Sequence, residues 1–458
     1  YSWTGDLTIN SSAAIAGGAT ALTANSLTTS GAGGLTMTAV NVANLPTITT
    51  DGGADALTIT GTGATSTIST GAGNDTITLG AATQATFTYT IDAGAGALDT
   101  LTLNDTVNYS AGTIALSGFE RISLALDAGG ANTAVTVANA NVTGESFIMS
   151  TNDSAVNTIT VAMAATEAIS DLSGLVFDSN FSAANDIMVI SNNVTTNLTL
   201  TGSDMIDQFD SGSGNDTIST GAGADVINAR AGNNTVDGGA GADIIDTTTG
   251  TDTITGGDGA DIVRSGDGAD TITLGEGADI VAAGAGGDTI NLTETTSAID
   301  VVQIVALTDG SAAGTLGGTF TGFDVVTGFT IDGAADDLVL FDAGVTNANM
   351  GNDTRDTAVA TINAEGVVAG TAANGTSNDL TASNYTDVDS VVNFYNDAGS
   401  GIATNNTGVD IIAVTIGSGT AAMSAIYAMT DDDGTLDAGE VMLLATVDAT
   451  ITVAEIII

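Results

Sequence analysis

The chain of 458 residues carries 54 acidic residues against 4 basic ones, a formal charge of −50, and contains neither histidine nor cysteine. That balance makes nucleic acid and anionic membranes poor partners. The two missing residue types exclude disulfides, thiolate and imidazole metal sites, and catalytic pairs built on Ser-His or Cys-His.

Hydrophobic residues nonetheless make up 43% of the chain and aromatic ones only 4%, with 60 glycines. Such a mixture can fill buried cores and favours short strands and tight turns, so an all-β fold is expected. A compact chain this acidic repels itself unless counter-ions are held at defined places. Bound cations are therefore the expectation, and a merely soluble acidic surface is the alternative. No stretch approaches the roughly 18 unbroken apolar residues of a membrane-spanning helix, and the sequence opens on Tyr1 without a basic, apolar leader. Neither a transmembrane segment nor a signal peptide is expected.

Four segments are predicted in chain order. Residues 1–85 hold short alternating stretches (Leu7-Thr8-Ile9, Leu35-Thr36-Met37, Leu57-Thr58-Ile59, Ile77-Thr78-Leu79) between Gly, Ala, Ser and Asn, which predicts a short-strand solenoid. Over 86–200 the strands lengthen, at 87–91, 101–103, 122–126, 135–137, 187–190 and 198–200, and predict a second β domain with a helix candidate near 163–172. Residues 201–295 carry a repeat, and 296–458 form a C-terminal β-rich domain with stretches such as Leu338-Val339-Leu340-Phe341. In that last segment Val388, Val391, Val392 and Tyr395 make a helix-spaced apolar face behind the capping candidate Asp387.

Aligned on its acids, the third segment shows a strict nine-residue period at Asp216, Asp225, Asn234, Asp243, Asp252, Asp261, Asp270, Asp279 and Asp288. Two residues after each comes an aliphatic: Ile218, Ile227, Val236, Ile245, Ile254, Val263, Ile272, Val281 and Ile290. Every copy thus pairs a polar turn with an apolar strand position. Glycines let the backbone turn tightly so that carbonyl oxygens gather, and the aspartate adds an anionic oxygen beside them. Calcium takes about six to eight such hard oxygens. Turn punctuation in a metal-free solenoid is the bland alternative, but it would leave rows of carboxylates repelling one another.

The copy Gly256-Gly257-Asp258-Gly259-Ala260-Asp261-Ile262-Val263-Arg264 resembles the glycine-rich nonapeptide of RTX proteins, which fold as parallel β-rolls. The resemblance implies two copies per superhelical turn. Positions 18 apart then stack into two edges, one through Asp216, Asn234, Asp252, Asp270 and Asp288, the other through Asp225, Asp243, Asp261 and Asp279. With an ion between stacked turns, about seven calcium sites are implied. The copies are unequal: Arg230 takes a glycine place before Asn234, and Thr247-Thr248-Thr249-Gly250-Thr251 precedes Asp252. The 234/252 site is expected to be weakest and the Asp225 to Asp279 edge filled throughout.

Further metal candidates are Asp75, in the copy Gly71-Ala72-Gly73-Asn74-Asp75, and Asp204 and Asp207, in a degenerate copy before the main run. The acidic stretch 431–440 has part of an EF-hand pattern, but Met429 would stand at its first ligand place. The turn of a hairpin between Ile426-Tyr427 and Val441-Met442-Leu443-Leu444 is the favoured reading there. No catalytic constellation is visible, so no enzyme is expected.

Leu98-Asp99-Thr100-Leu101-Thr102-Leu103, then Leu116-Ser117-Gly118-Phe119-Glu120-Arg121-Ile122-Ser123-Leu124, and the lysine-free composition are similar to RTX-type surface-layer proteins of Gram-negative bacteria. The segment 324–342 and the apolar tail 451–458 are similar to the end of type I secretion substrates. The resemblance implies a protein exported unfolded, folded by external calcium, and self-assembling on the cell surface, with lipopolysaccharide or another anchor as partner. Nothing here resembles the helical anchoring part of such proteins. An adhesin or extracellular matrix filament is the alternative, and a secreted calcium-dependent enzyme a third reading.

Overall fold

The structure is a computed structural model. It describes residues 187–296 and 298–304 without interruption. Before them it describes 6–10, 15–18, 26–30, 34–41, 47–50, 52–60, 65–79, 88–104, 107–108, 113–125, 134–138, 148–151, 158–163 and 168–177. After them it describes 319, 321–329, 337–341, 362–363, 386, 410–416, 423–429, 441–449 and 456–457. Every regular element among the described residues is a β-strand, and the fold is a parallel β-solenoid. The chain divides into two compact units, Tyr1–Val194 with Leu198–Ser211 and Thr220–Gly223, and Thr195–Asn197 with Gly212–Ser219 and Ala224–Ile458.

In the first unit successive strands alternate between two parallel sheets. One begins with Asp6–Asn10, Ser26–Ser30, Thr47–Thr49, Thr65–Ser69 and Thr88–Asp92, and the other takes Leu35–Asn41, Ala56–Thr60, Thr76–Leu79, Thr100–Asn104 and Arg121–Ala125. Alternation sends every second side chain inward. Parallel registry then stacks like on like: Leu27, Ile48, Ile68 and Ile91 form one column and Leu57, Ile77, Leu101 and Ile122 another. All eight are at most 2% exposed. Further along, Ala134–Ala138, Thr158–Ala162 and Ile187–Val194 pair in the same parallel manner.

Among the described residues of 163–172, which are 163 and 168–172, the expected helix is not formed. Ile169–Asp171 is instead a strand paired in parallel with Thr199–Thr201, and Ser170 and Leu172 are buried. The apolar spacing there is too short a signal to compete with a sheet that offers each strand a ready hydrogen-bonding edge. The helical face read at Val388 to Tyr395 and the acidic stretch 431–440 lie outside the described residues.

The second unit holds most of the nine-residue run. Val226–Ala231, Ile244–Thr249, Ile262–Arg264, Ile280–Ala282, Val301–Ile304 and Leu338–Phe341 form one parallel sheet. Thr217–Ser219, Thr235–Ala240, Thr253–Asp258, Thr271–Glu276, Thr289–Asn291 and Asp324–Thr327 form the other. The nine aliphatics read from the repeat all point inward, none more than 1% exposed. They line up as Ile227, Ile245, Val263 and Val281 facing Ile218, Val236, Ile254, Ile272 and Ile290. Arg230, in its glycine place, is held at φ +56, where the neighbouring copies have glycines such as Gly239 and Gly257, and its strand slips register there.

Beyond the repeats, Val441–Val447 pairs in parallel with Asp324–Thr327 and antiparallel with Met423–Met429, which pairs in turn with Asp410–Ile416. The expected pairing of Ile426-Tyr427 with the 441–444 strand is therefore present. Ile456–Ile457, in the apolar tail, pairs with Val339–Leu340.

Because a solenoid column cannot collapse without disturbing the coils on both sides, Ile254→Ala should cost about 2–5 kcal/mol. Denaturant titration in saturating calcium, compared with wild type, measures it.

Candidate metal centre

The acid of each nonapeptide stands just before its strand, where the chain turns inward. All nine are buried, with exposures of 0–2%. What holds them is a ladder running along each edge. The main-chain N–H of each acid donates to Oδ1 of the acid one coil further on: Asp225 to Asp243 at 2.7 Å, Asp243 to Asp261 at 2.8 Å and Asp261 to Asp279 at 2.7 Å. The other edge runs Asp216 to Asn234, then Asp252, Asp270 and Asp288, at 2.7–3.0 Å. The carbonyl of each acid accepts the first strand N–H of the following coil, as Ile262 N–H to Asp243 O at 2.8 Å. Side chain and main chain thus clamp neighbouring coils together at the same residue.

The ladders extend past the nine-residue pattern. Asp279 N–H donates to Asp300, Asp300 to Asp337, and Asp288 to Asp324. In the first unit Asp55 N–H donates to Asp75 at 2.7 Å, Asp75 to Asp99 at 2.7 Å and Asp99 to Glu120 at 2.6 Å. Sequence reading singled out Asp75 alone of this group, because its neighbours stand 20, 24 and 21 residues apart rather than at multiples of nine. Asp207 is buried and accepts the Ser203 N–H at 2.8 Å, whereas Asp204 is exposed in the turn and belongs to no ladder bond.

One carboxylate oxygen of each acid is spent on the ladder, and the second has a different fate. Oδ2 of Asp243, Asp252, Asp261, Asp270 and Asp279 is buried without a hydrogen-bond partner. At two of these a main-chain oxygen faces the same spot. A methyl group placed on Gly256 would lie 2.6 Å from Asp261 Oδ2 and 2.5 Å from Leu274 O. One placed on Gly238 would lie 2.8 Å from Asp243 Oδ2 and 2.6 Å from Gly256 O. Glycine is therefore required at both positions, and each leaves a small cradle walled by hard oxygens. Gly202, beside Asp207 Oδ2 and Thr220 O, repeats the arrangement in the first unit.

These oxygens resist bearing charge unaided. Burial, then the facing Asp225, Asp261 and Asp237, pushes the Asp243 carboxyl up to about 7. Burial, with Asp261 and Glu294 nearby, raises Asp279 to about 6. Asp300, buried beside Asp279, Asp337 and Glu294, reaches about 7. Asp252, Asp261 and Asp270 are also raised, chiefly by burial. A buried carboxylate is stable only when paired or coordinated. Among the described residues no three acidic side chains converge on one point. The donor set is instead one carboxylate with carbonyls from stacked coils, an all-oxygen set that suits calcium. The residues fit the ion: Asp243 with the Gly256 carbonyl, and Asp261 with the Leu274 carbonyl, would each help to hold one, and its charge would replace the proton that burial otherwise favours.

Fold and site together define a calcium-binding parallel β-roll. A family model described as the RTX calcium-binding nonapeptide repeat (4 copies) matches residues 51–82 and, in overlapping windows, 201–236, 219–254, 237–272 and 255–290. The chain thus carries RTX-type repeats, which bind multiple Ca2+ ions and are typical of secreted, extracellular proteins. No curated protein matches the chain. Among the described residues, no helix is long and apolar enough to cross a membrane.

The raised carboxyls set a pH dependence. Against 3.8 in the unfolded chain, values of about 7 for Asp243 and Asp300 and about 6 for Asp279 mean that the calcium-free fold binds more protons than the unfolded state. Their contribution opposes folding increasingly as pH rises from about 4 to 7. In chelator, circular dichroism should show the roll more stable at pH 5 than at pH 8, and calcium at pH 8 should abolish the difference. Greater stability at pH 8 in chelator would contradict the assignment.

Proposed function

We propose that the chain is a calcium-dependent structural protein that folds outside the cell and assembles with copies of itself into a surface layer. What supports self-assembly is a difference between the two outer faces of the roll. On one sheet the residue after each acid is Val226, Ile244, Ile262, Ile280 and Val301, stacked in register with Val226 and Ile280 each 38% exposed. On the other sheet the same place is held by Thr217, Thr235, Thr253, Thr271 and Thr289, all exposed. An in-register aliphatic stripe on an otherwise acidic chain is the surface a second copy can cover. In a calcium-poor cytoplasm, repulsion among the ladder acids would hold the roll open for export through a type I channel. External calcium would then close it.

Electron microscopy of the full chain in calcium and in chelator tests this reading. Ordered sheets that dissolve on chelation are expected; filaments instead would favour the adhesin or matrix reading, and a calcium-loaded monomer would refute both. Replacing Ile244, Ile262 and Ile280 by Thr, which copies the opposite face, should leave the circular dichroism spectrum in calcium unchanged and abolish assembly.

A further inference from the structure

We propose that the two edges of the roll differ in chemistry: the edge through Asp243 and Asp261 takes divalent cations, whereas the edge through Asn234, Asp252 and Asp270 is latched shut by the protein's own hydrogen-bond donors. The proposal rests on the calcium reading above and assigns the ions to one side.

The difference lies five residues before the four central acids, Asp243, Asp252, Asp261 and Asp270; the same place is Thr220 before Asp225, Leu274 before Asp279 and Ala229 before Asn234. Before Asp243 and Asp261 that residue is Gly238 and Gly256, and the cradle beside it contains acceptors: a carboxylate oxygen and the carbonyl of Gly256 or Leu274. Before Asp252 and Asp270 it is Thr247 and Ser265. Thr247 Oγ1 donates to Ser265 O at 2.6 Å, and Ser265 Oγ donates to Ala283 O at 2.7 Å. Gly256 O and Leu274 O, the carbonyls that face the cradles on the first edge, occupy the same repeat position as the two that accept a proton on the second. Oδ2 of Asp252 and Asp270 still lacks a hydrogen bond. With the carbonyl engaged and a side chain filling the glycine space, however, a cation there would find one oxygen where the other edge offers two.

Two more observations place neutral donors on the latched edge. Asn234, standing where the other copies have an acid, keeps the ladder bond through Oδ1 and turns Nδ2 to Gly232 O at 3.1 Å. The residues before its acids form a second, uncharged ladder, with Asn215 N–H donating to Asn197 Oδ1, Asn233 to Asn215, and Thr251 to Asn233, at 2.8–2.9 Å.

The same latch recurs in the first unit. The Thr50 hydroxyl, five residues before Asp55, has both Asp55 Oδ2 and Thr70 O within hydrogen-bond reach for its single proton, and Thr70, five before Asp75, donates to Ala93 O at 3.0 Å. Asp55 and Asp75 therefore belong to the latched class, and Asp75 is a structural acid rather than a calcium ligand.

The test is to locate and count calcium in the full chain, by anomalous scattering from crystals grown in calcium and by native mass spectrometry. Density beside Asp243 and Asp261 but not beside Asp252, Asp270 or Asp75 is expected. Opening the latch with Thr247→Gly and Ser265→Gly should raise the count by about two ions, and closing a cradle with Gly256→Ser should lower it by about one. Equal density at both edges would overturn the proposal while leaving the calcium reading intact. So would a loss of ions in the Thr247→Gly, Ser265→Gly protein, which would make the hydroxyls ligands. An absence of calcium from the whole chain would overturn the underlying reading as well. Should the variants fail to fold, the wild-type density decides.

Discussion

The structure depends on one bond repeated along the coil: a carboxylate oxygen accepting the main-chain N–H of the equivalent acid one coil earlier. In the repeat region that bond spans 18 residues each time. A constant span is what lets the aliphatic columns stack in register and keeps each turn aligned over the last. A buried main-chain N–H at the corner of a coil has no strand partner, and leaving it unmade would cost about 1–3 kcal/mol. The inward acid removes that cost at every coil.

Asn234 shows what the ladder needs and what it does not. Its amide oxygen accepts the Asp216 N–H at 3.0 Å, in the same way as the carboxylates elsewhere. An uncharged oxygen is therefore sufficient for the clamp. The aspartates at the other positions carry a negative charge that the clamp does not use, at sites so buried that the charge is disfavoured. Where the second oxygen faces a main-chain carbonyl, as at Asp243 and Asp261, a bound cation would offset the charge. The two oxygens thus divide the work: one clamps neighbouring coils together, and at Asp243 and Asp261 the other is left without a hydrogen bond beside a main-chain carbonyl.

Much of this was legible in the sequence, because a two-copy coil built from nine-residue copies repeats both its acids and its aliphatics on a fixed count. The all-β class, the inward Ile and Val columns and the two stacked edges follow from that count. Burial of the acids does not, since an aspartate beside glycines reads equally well as a surface turn. Coils of other lengths hid further ladder members: Asp55, Asp99, Asp300 and Asp337 perform the same task at spacings no fixed period reveals, and Asp324, although 36 residues after Asp288, is separated from it by a long insertion. The helix read near 163–172 failed for a related reason, since a strand there was decided by the edge available to Ile169–Asp171 and not by its own apolar spacing. The hydroxyls at Thr247 and Ser265 were visible as departures from glycine. Their meaning was not, because only the stacked carbonyls of Ser265 and Ala283 show where the protons go.

The nine-residue motif is therefore not the unit in which this roll is organised. Five residues before the acid, Gly238 and Gly256 on one side stand against Thr247 and Ser265 on the other. One residue after it, Val226, Ile244, Ile262 and Ile280 stand against Thr217, Thr235, Thr253 and Thr271. The second distinction alternates from copy to copy and so repeats once per full coil; the first holds over the copies ending at Asp243, Asp252, Asp261 and Asp270, with Thr220 at that place before Asp225 and Leu274 before Asp279. A coil that visits each side once keeps the sides chemically separate however many coils are stacked. Adding a coil then lengthens an aliphatic face, a threonine face and an acidic ladder together, without mixing them. That separation keeps the aliphatic outer positions on one sheet and the threonine positions on the other.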